Sequence, residues 1–387
     1  MPEAIQETPS NQRTPQPLLG FLTYVWIAVF ALVATVFGAT GVSVVSTTAF
    51  RWFAVAVVLV AFAGRTRRWP AVASALLAGF GALYVVAERT HQVLATGQPA
   101  AWPYVVGGLL VAGLSAYQLR GGARRFDPVA LIALQLGVGL LARWLYFVLS
   151  GLGLEPALYA PGTWTSPLIT ELPLLALGLA GVGLGVTRGV GGSVRRLGIA
   201  WPSWWRIGVA MLISQLLVLS SYPATLLTYQ LMPHTYFAIE QILAKSDGDS
   251  NFLLGAVIAV LAGVAEETLF RGALQPRAGI LITAALFASI HIQYGASPIL
   301  AMVFVHGLIY GLLRRHINTT TAILTHALYD LPVHLPLAGH LLWILFMVLL
   351  LLYPALKSWR EILRSVRAVT AEDLAGLKRR CVSVLPR

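Results

Sequence analysis

The chain has 387 residues, 57% of them hydrophobic and only 11% charged, with mean hydropathy +0.76. Soluble domains average about 25% charged residues, so the composition excludes an ordinary soluble protein and indicates an integral membrane protein. A formal net charge of +12 would suit nucleic acid. In a membrane protein, however, loop arginines act as topology signals, and no nucleic-acid partner is expected.

In chain order, residues 1–17 are polar and read as a disordered cytoplasmic N-terminus. They lack a basic n-region, so a cleaved signal peptide is not expected. Apolar stretches then recur at 18–38, 42–63, 70–87, 103–119, 128–150, 166–187, 206–232, 251–275, 279–294, 298–313, 319–334 and 339–356. A span needs about 17–25 such residues, and some of these stretches are short or abut. The expectation is therefore an all-α, polytopic transmembrane bundle of about 10–12 helices.

Basic residues fall in alternating loops. Arg65, Arg67 and Arg68 follow the second stretch, and Arg120, Arg124 and Arg125 follow the fourth. Arg188, Arg195 and Arg196 follow the sixth, and Arg314 and Arg315 the tenth. By the positive-inside rule this gives a multi-pass protein of the cell membrane with both termini cytoplasmic. Residues 18–232 form an N-terminal helical region, where Arg51, Arg143 and Glu171 read as lone charges able to snorkel. Residues 232–250 are polar and divide the chain, and 251–335 form a second helical core. Residues 336–387 hold a last span and a basic tail, in which Trp359, Ile362, Leu363, Val366 and Val369 recur at helical spacing. The only cysteine, Cys381, leaves no intramolecular disulfide and no cysteine-rich metal site.

The chemistry concentrates in the second core. Glu266 and Glu267 lie side by side in the apolar run LLGAVIAVLAGVAEETLFRGAL. An intramembrane charge costs several kcal/mol, about 3 to 17 by different scales, so an adjacent pair is a functional-site hypothesis. Glu267 and Arg271 stand at i and i+4, the favourable order for an ion pair on one helix face. Glu266, rotated about 100° away, keeps no local partner and is the candidate general base. Pro276-Arg277-Ala278-Gly279 reads as a turn between antiparallel helices. Glu266 and His291 then sit at similar distances from it, on the order of 15–18 Å. His326 and Asp330 are again i and i+4. The carboxylate can fix the imidazole tautomer, join it as a metal ligand, or, if protonated, donate to an oxyanion. His306 lies in FVHGLIYG, whose Gly307 and Gly311 favour close helix packing, and reads as structural. No G-x-S-x-G and no H-E-x-x-H occurs. A water nucleophile activated by Glu and His, with or without a metal, suits the remaining parts.

These residues resemble the motifs of the CPBP intramembrane proteases, a group that includes the type II CAAX prenyl endopeptidases and abortive-infection proteins. EETLFR (266–271) resembles EExxxR, FASIH (287–291) resembles FxxxH, FVHGLIYG (304–311) resembles FxxGxxxG, and HALYD (326–330) resembles HxxxN/D. All four occur in order over roughly 250–335. The resemblance implies an intramembrane endopeptidase acting on a membrane-associated protein or peptide, with an association to CAAX-box processing. It implies water activated by Glu266 and His291, assistance from His326 and Asp330, and a structural ion pair between Glu267 and Arg271. Two routes stay open: a divalent metal such as Zn2+ held by Glu266, His291 and His326, or a metal-free glutamate mechanism. Asp330 stands where the best-known prenyl-protein proteases have Asn. Readings from other classes are a proton-coupled transporter and a non-catalytic immunity or scaffold protein. Clustering of the ionisable groups in one half of the chain argues against the transporter.

Overall fold

The computed structural model describes residues 43–352 apart from 66–67, 98–100, 121–126, 157–158, 160–165, 248–251, 335–338, 340 and 351. The expected first span, the N-terminal segment, the basic tail and Cys381 lie outside the described residues. Twelve α-helices run between Ser43 and Asp330, with no β-strand among the described residues. In order they are Ser43–Ala63 (α1), Arg68–Thr96 (α2), Trp102–Leu119 (α3), Pro128–Ser150 (α4), Ser166–Ala180 (α5), Val190–Leu197 (α6), Trp204–Leu231 (α7), Pro233–Asp247 (α8), Phe252–Glu267 (α9), Gln275–Ile290 (α10), Pro298–His316 (α11) and Thr319–Asp330 (α12). A further apolar helix covers Leu341–Leu350. Five segments are long and apolar enough to cross a membrane: Trp69–His91, Pro128–Ser150, Trp204–Leu231, Leu253–Ile290 and Pro298–His316. The protein is a polytopic, multi-pass helical membrane protein.

The helix ends follow local chemistry. Proline occupies the first turn of α4, α10 and α11, where its missing N–H costs nothing. Asn318 caps α12 by accepting from Thr321 N at 2.8 Å, and Ser297 caps α11 through Leu300 N. Large apolar residues that would be misplaced in water stand exposed along the outer faces, among them Leu212, Leu216, Leu219 and Leu226 on α7. In hydrocarbon that exposure costs nothing, so the outward leucines fit a lipid-facing surface.

Some boundaries differ from the sequence reading. The polar divider at 232–250 is largely helical, as α8, and its Lys245 Nζ donates to the Pro156 carbonyl at 2.9 Å. The stretch 319–334 divides into the twelve-residue α12 and a short 3-10 helix, Leu331–His334. The two stretches expected at 251–275 and 279–294 form a helical run that passes through a seven-residue π-helix, Thr268–Leu274. That run breaks at Gly279, with φ 79° and ψ 172°, a conformation only glycine adopts without strain. Phe270 meets Phe287 at 5.5 Å between ring centroids, and the Arg271 guanidinium lies 4.7 Å from the same Phe287 ring. This pairing folds the run back on itself, with Phe270 four residues after Glu266 and Phe287 four residues before His291.

Packing around this hairpin is tight because small residues line it. A Cβ on Gly263 would meet the Ile323 carbonyl at 3.0 Å and Ala327 N at 3.1 Å, so α9 touches α12 almost backbone to backbone. A Cβ on Gly311 would lie 2.7 Å from Ile280 Cγ2, so α11 seats on α10 in the same way. α9 also packs against α5, and α7 against α11 and α12, while α1 to α4 form an outer group joined to the core through α5 and α10.

At one end of that outer group, Asp127 precedes α4, accepts from Val129 N at 3.1 Å and receives Arg65 Nε at 2.8 Å. Burial alone pushes this carboxyl up, but the hydrogen bonds from Arg65 and Val129 outweigh it and hold it below its ordinary range. A depressed carboxyl contributes stability that is fully present above its unfolded value of about 3.9 and is lost as pH falls through the folded value. Thermal melts of solubilised protein should therefore fall below about pH 4. Asp127→Asn should flatten that acid limb and leave the neutral-pH melt little changed, since a part-exposed pair contributes little.

Candidate active site

The site is built on α9, the π-helix, the end of α10 and α12. Glu267 and Arg271 are both fully buried, with Glu267 Oε2 3.1 Å from Arg271 Nε. The contact lies within ion-pair range but without hydrogen-bond alignment, since Arg271 Nε, Nη1 and Nη2 find no hydrogen-bond partner among the described residues. The guanidinium is lodged among aromatic rings, 4.7 Å from Phe287, 5.7 Å from Tyr310 and 5.9 Å from Phe270. Such faces attract a cation that has left water. The π-turn widens the helix directly after Glu267, a distortion that recurs at functional sites.

The other oxygen of Glu267, Oε1, lies 3.0 Å from His326 Nδ1. His326 Nε2 lies 3.2 Å from Asp330 Oδ2, and its ring stacks on Tyr310 at 4.9 Å and 15°. Arg271, Glu267, His326 and Asp330 thus form one chain across two helices. The i,i+4 pairings within it were legible in the sequence. The link between Glu267 and His326, 59 positions apart, was not.

Glu266 is 8% exposed, and its Oε2 finds no hydrogen-bond partner among the described residues. His326, Asp330 and Glu267 all lie within electrostatic reach of it. His291 closes α10, where its Nδ1 lies 2.9 Å from the Phe287 carbonyl. A carbonyl can only accept, so Nδ1 carries the proton and Nε2 remains the acceptor nitrogen of the neutral ring. Tyr294 stacks on the His291 ring at 5.9 Å and 6°. His326, Asp330 and Arg271 are within reach of His291 as well. His306 is buried, with Nε2 2.9 Å from Ser220 Oγ on α7, and lies within electrostatic reach of His326 and Asp330.

The metal set anticipated from Glu266, His291 and His326 does not fit this arrangement. Both ring nitrogens of His326 face carboxylates, so it has no lone pair to offer a metal. Among the described residues no three His, Cys, Asp or Glu side chains converge as ligands. The same geometry removes His326 as a direct hydrogen-bond donor to an oxyanion. With both carboxylates ionised, each nitrogen donates and the ring is a fixed imidazolium held between them.

Two residues missed in the sequence belong to the surroundings of Glu266. Glu171, on α5, is within electrostatic reach of Glu266, His326 and Asp330. Arg51, on α1, donates from Nη1 to the Thr170 carbonyl at 2.7 Å and lies within reach of both Glu171 and Glu266. Each looked like a lone charge in its own stretch. The available signal was that both interrupt apolar runs, which marks an intramembrane ionisable group for function. Arg143, read in the same way, lies instead over the Phe147 ring at 5.1 Å.

Residues 248–332 match the family of the type II CAAX prenyl endopeptidases described as Rce1-like. The chain carries an Rce1-like domain. That domain spans α9 to α12 and contains every motif residue of the site, and the family assignment agrees with the four motifs read from the sequence. No curated protein and no solved structure matches the chain. The domain supports a CAAX-protease-type intramembrane endopeptidase in general terms.

Proposed function

We propose that the protein hydrolyses a peptide bond of a membrane-associated protein or peptide, using water held between Glu266 and His291 Nε2. The observation that carries this reading is the Glu266 carboxylate, buried and with Oε2 unpartnered among the described residues, four residues before Phe270, whose ring meets Phe287 four residues before His291. Glu266 takes a proton from water as the oxygen adds to the scissile carbonyl carbon. The carbonyl oxygen becomes the oxyanion, facing a site whose fixed positive charge is His326. As the C–N bond breaks, Glu266 returns its proton to the departing nitrogen. Arg271 and Glu267 hold His326 in place, and Asp330 fixes the other edge of its ring. No step is routed through a metal. CAAX-box substrates, the cell membrane and cytoplasmic termini complete the proposal, on the strength of the family and the arginine pattern.

The ionisable groups around Glu266 are not confined to one half of the chain, because Arg51 and Glu171 join them. The sequence argument against a proton-coupled carrier therefore falls away, and the family match carries the enzyme reading in its place. Proteoliposomes loaded with a pH dye and supplied with membrane-anchored peptides separate the two. Peptide cleavage without proton flux supports the protease, and proton flux without cleavage overturns it. Cleavage that persists in a chelator supports the metal-free route, whereas loss restored by added Zn2+ overturns it.

Asp330 offers a narrower test. An Asn at 330 still presents a carbonyl oxygen to His326 Nε2–H, so Asp330→Asn should keep cleavage within about tenfold of wild type. Asp330→Ala leaves that N–H unpaired and should cost about 1–3 kcal/mol in stability or transition-state binding. If Asn behaved like Ala, an ionised carboxylate would be required and the hydrogen-bond account of Asp330 would be wrong.

A further inference from the structure

The two ends of the helical bundle differ, and the catalytic group communicates with one of them. At the first end Thr319 N donates to the Gly198 carbonyl at 3.0 Å, and Ala200 N donates to Thr320 Oγ1 at 3.0 Å. Gln275 Nε2 donates to the Gly311 carbonyl at 2.9 Å. Phe62, near the end of α1, joins this end through the Arg277 guanidinium, 6.0 Å from its ring. At the second end the loop after α4 meets the loop after His291. A Cβ on Gly153 would lie 2.5 Å from the Ile292 carbonyl, and one on Gly295 would lie 3.2 Å from Leu154 Cδ1. Tyr159 Oη donates to the Gly153 carbonyl at 2.7 Å, and Lys245 of α8 ties down the Pro156 carbonyl beside it.

The catalytic group is closed toward the first end and open toward the second. Between Glu266 and the turn at Gln275 stand Phe270 and Arg271, with Tyr310 of α11 beside them, and all three are fully buried. His326 and Asp330 lie seven and eleven residues beyond Thr319, about 10 and 16 Å along α12 from the first end. His291 ends α10 directly before the loop that packs on Gly153. The members nearest the second end are the accessible ones: the Asp330 side chain is 25% exposed, and His291 is partly exposed.

Basic residues separate the ends in the same way. Arg65, Arg188, Arg195, Arg277, Arg314 and Arg315 fall at the first end. The loops of the second end at 151–156, 291–297 and 331–334 hold no Lys or Arg, and α8 holds Lys245. Arg89 and Arg143, toward that end, lie inside α2 and α4. The positive-inside rule counts Lys and Arg beside short loops, with Asp and Glu contributing little, so it does not depend on how each arginine is neutralised. It makes the first end cytoplasmic.

We propose that the catalytic group is approached from the non-cytoplasmic side, past Asp330 and His291, and that its substrate is a peptide segment flanking a membrane anchor in the outer half of the bilayer. Resting on the protease reading, this narrows the substrate. A CAAX-box segment meets Glu266 only from the outer leaflet, because Phe270, Arg271 and Tyr310 fill the way from the cytoplasm.

The side of access is read first without any cleavage, on the full-length protein in sealed membrane vesicles. In a Cys381→Ser background, Ala296→Cys and Asp330→Cys should react with a small impermeant thiosulfonate in right-side-out vesicles and stay unlabelled in inverted ones. His316→Cys, at the basic end, should do the reverse. Thermal melts confirm that each variant is folded. A doubly acylated peptide, its cleavable segment next to the anchor, is then added to the outside of the same vesicles. Wild type should cut it in right-side-out vesicles and leave it intact in inverted ones, and Glu266→Gln should leave it intact in both. Labelling of Ala296→Cys or Asp330→Cys from the cytoplasmic side, or of His316→Cys from the outer side, overturns the proposal. Cleavage in inverted vesicles also overturns it and leaves the protease reading intact. Cleavage in neither preparation counts against the protease reading alone, and the labelling of Asp330→Cys then decides the side of access.

Discussion

Replacing Glu266 by glutamine should lower peptide cleavage by about 10²–10⁴-fold, the range for loss of a positioned general base. The amide keeps the size of the side chain but cannot accept the proton from water. The fall should appear in kcat, with KM little changed, because Glu266 acts on the reacting water and not on the bulk of the substrate. Stability should move the other way. Glu266 is buried, its Oε2 has no hydrogen-bond partner among the described residues, and it shares its surroundings with Glu171, Glu267 and Asp330. Removing one of four neighbouring carboxylates relieves repulsion and desolvation, so the Glu266→Gln melt should match or exceed wild type. Activity lost with stability kept marks a catalytic group. Cleavage that survives the substitution would remove Glu266 from the mechanism.

The second large effect is expected at Arg271, and it has the opposite signature. Arg271→Met leaves the fully buried Glu267 with His326 as its one charged partner, and breaking a buried pair on one side costs about 3–5 kcal/mol. The loss should show as a large drop in melting temperature. It should also lower cleavage, because Glu267 is what holds His326 Nδ1. The double variant Arg271→Met with Glu267→Gln removes both charges, and replacing a whole buried pair by neutral groups is often close to neutral. It should therefore be clearly more stable than Arg271→Met alone, giving a coupling of about 0.5–3 kcal/mol or more in a double-mutant cycle. An Arg271→Met protein that melts with wild type would show that the pair does not hold the helix in place, leaving the aromatic lodging of the guanidinium as its main role.

Both predictions depend on how the site assembles, and the sequence carries that assembly unevenly. Pairs on a single helix were legible because i,i+4 spacing alone puts them on one face: Glu267 with Arg271, and His326 with Asp330. The break at Gly279 was also legible, in the turn sequence Pro276-Arg277-Ala278-Gly279. The π-helix was not. It arises from how Phe270 and Arg271 pack on Phe287 and Tyr310, and no periodicity in the local sequence announces it. His326 read as a free ligand or oxyanion donor because its nearest partner in sequence, Asp330, uses one ring nitrogen only. Glu267, on a distant helix, takes the other.

The outer helices show the same division. Arg51 and Glu171 stand 120 positions apart in separate apolar stretches, and each alone resembles a side chain reaching for the interface. Packing of α1 on α5 and of α5 on α9 brings them to Glu266. Composition and hydrophobic length determined by themselves that this is a helical membrane protein, and the four ordered motifs put its candidate site between 250 and 335. Those are properties of single segments, written in local spacing and hydropathy. Tertiary structure alone decided that Glu267 also reaches His326, that both nitrogens of His326 are occupied, and that the N-terminal helices supply charges to the site. These are properties of contacts between helices, set by where glycines let backbones approach and aromatic rings lodge a buried cation.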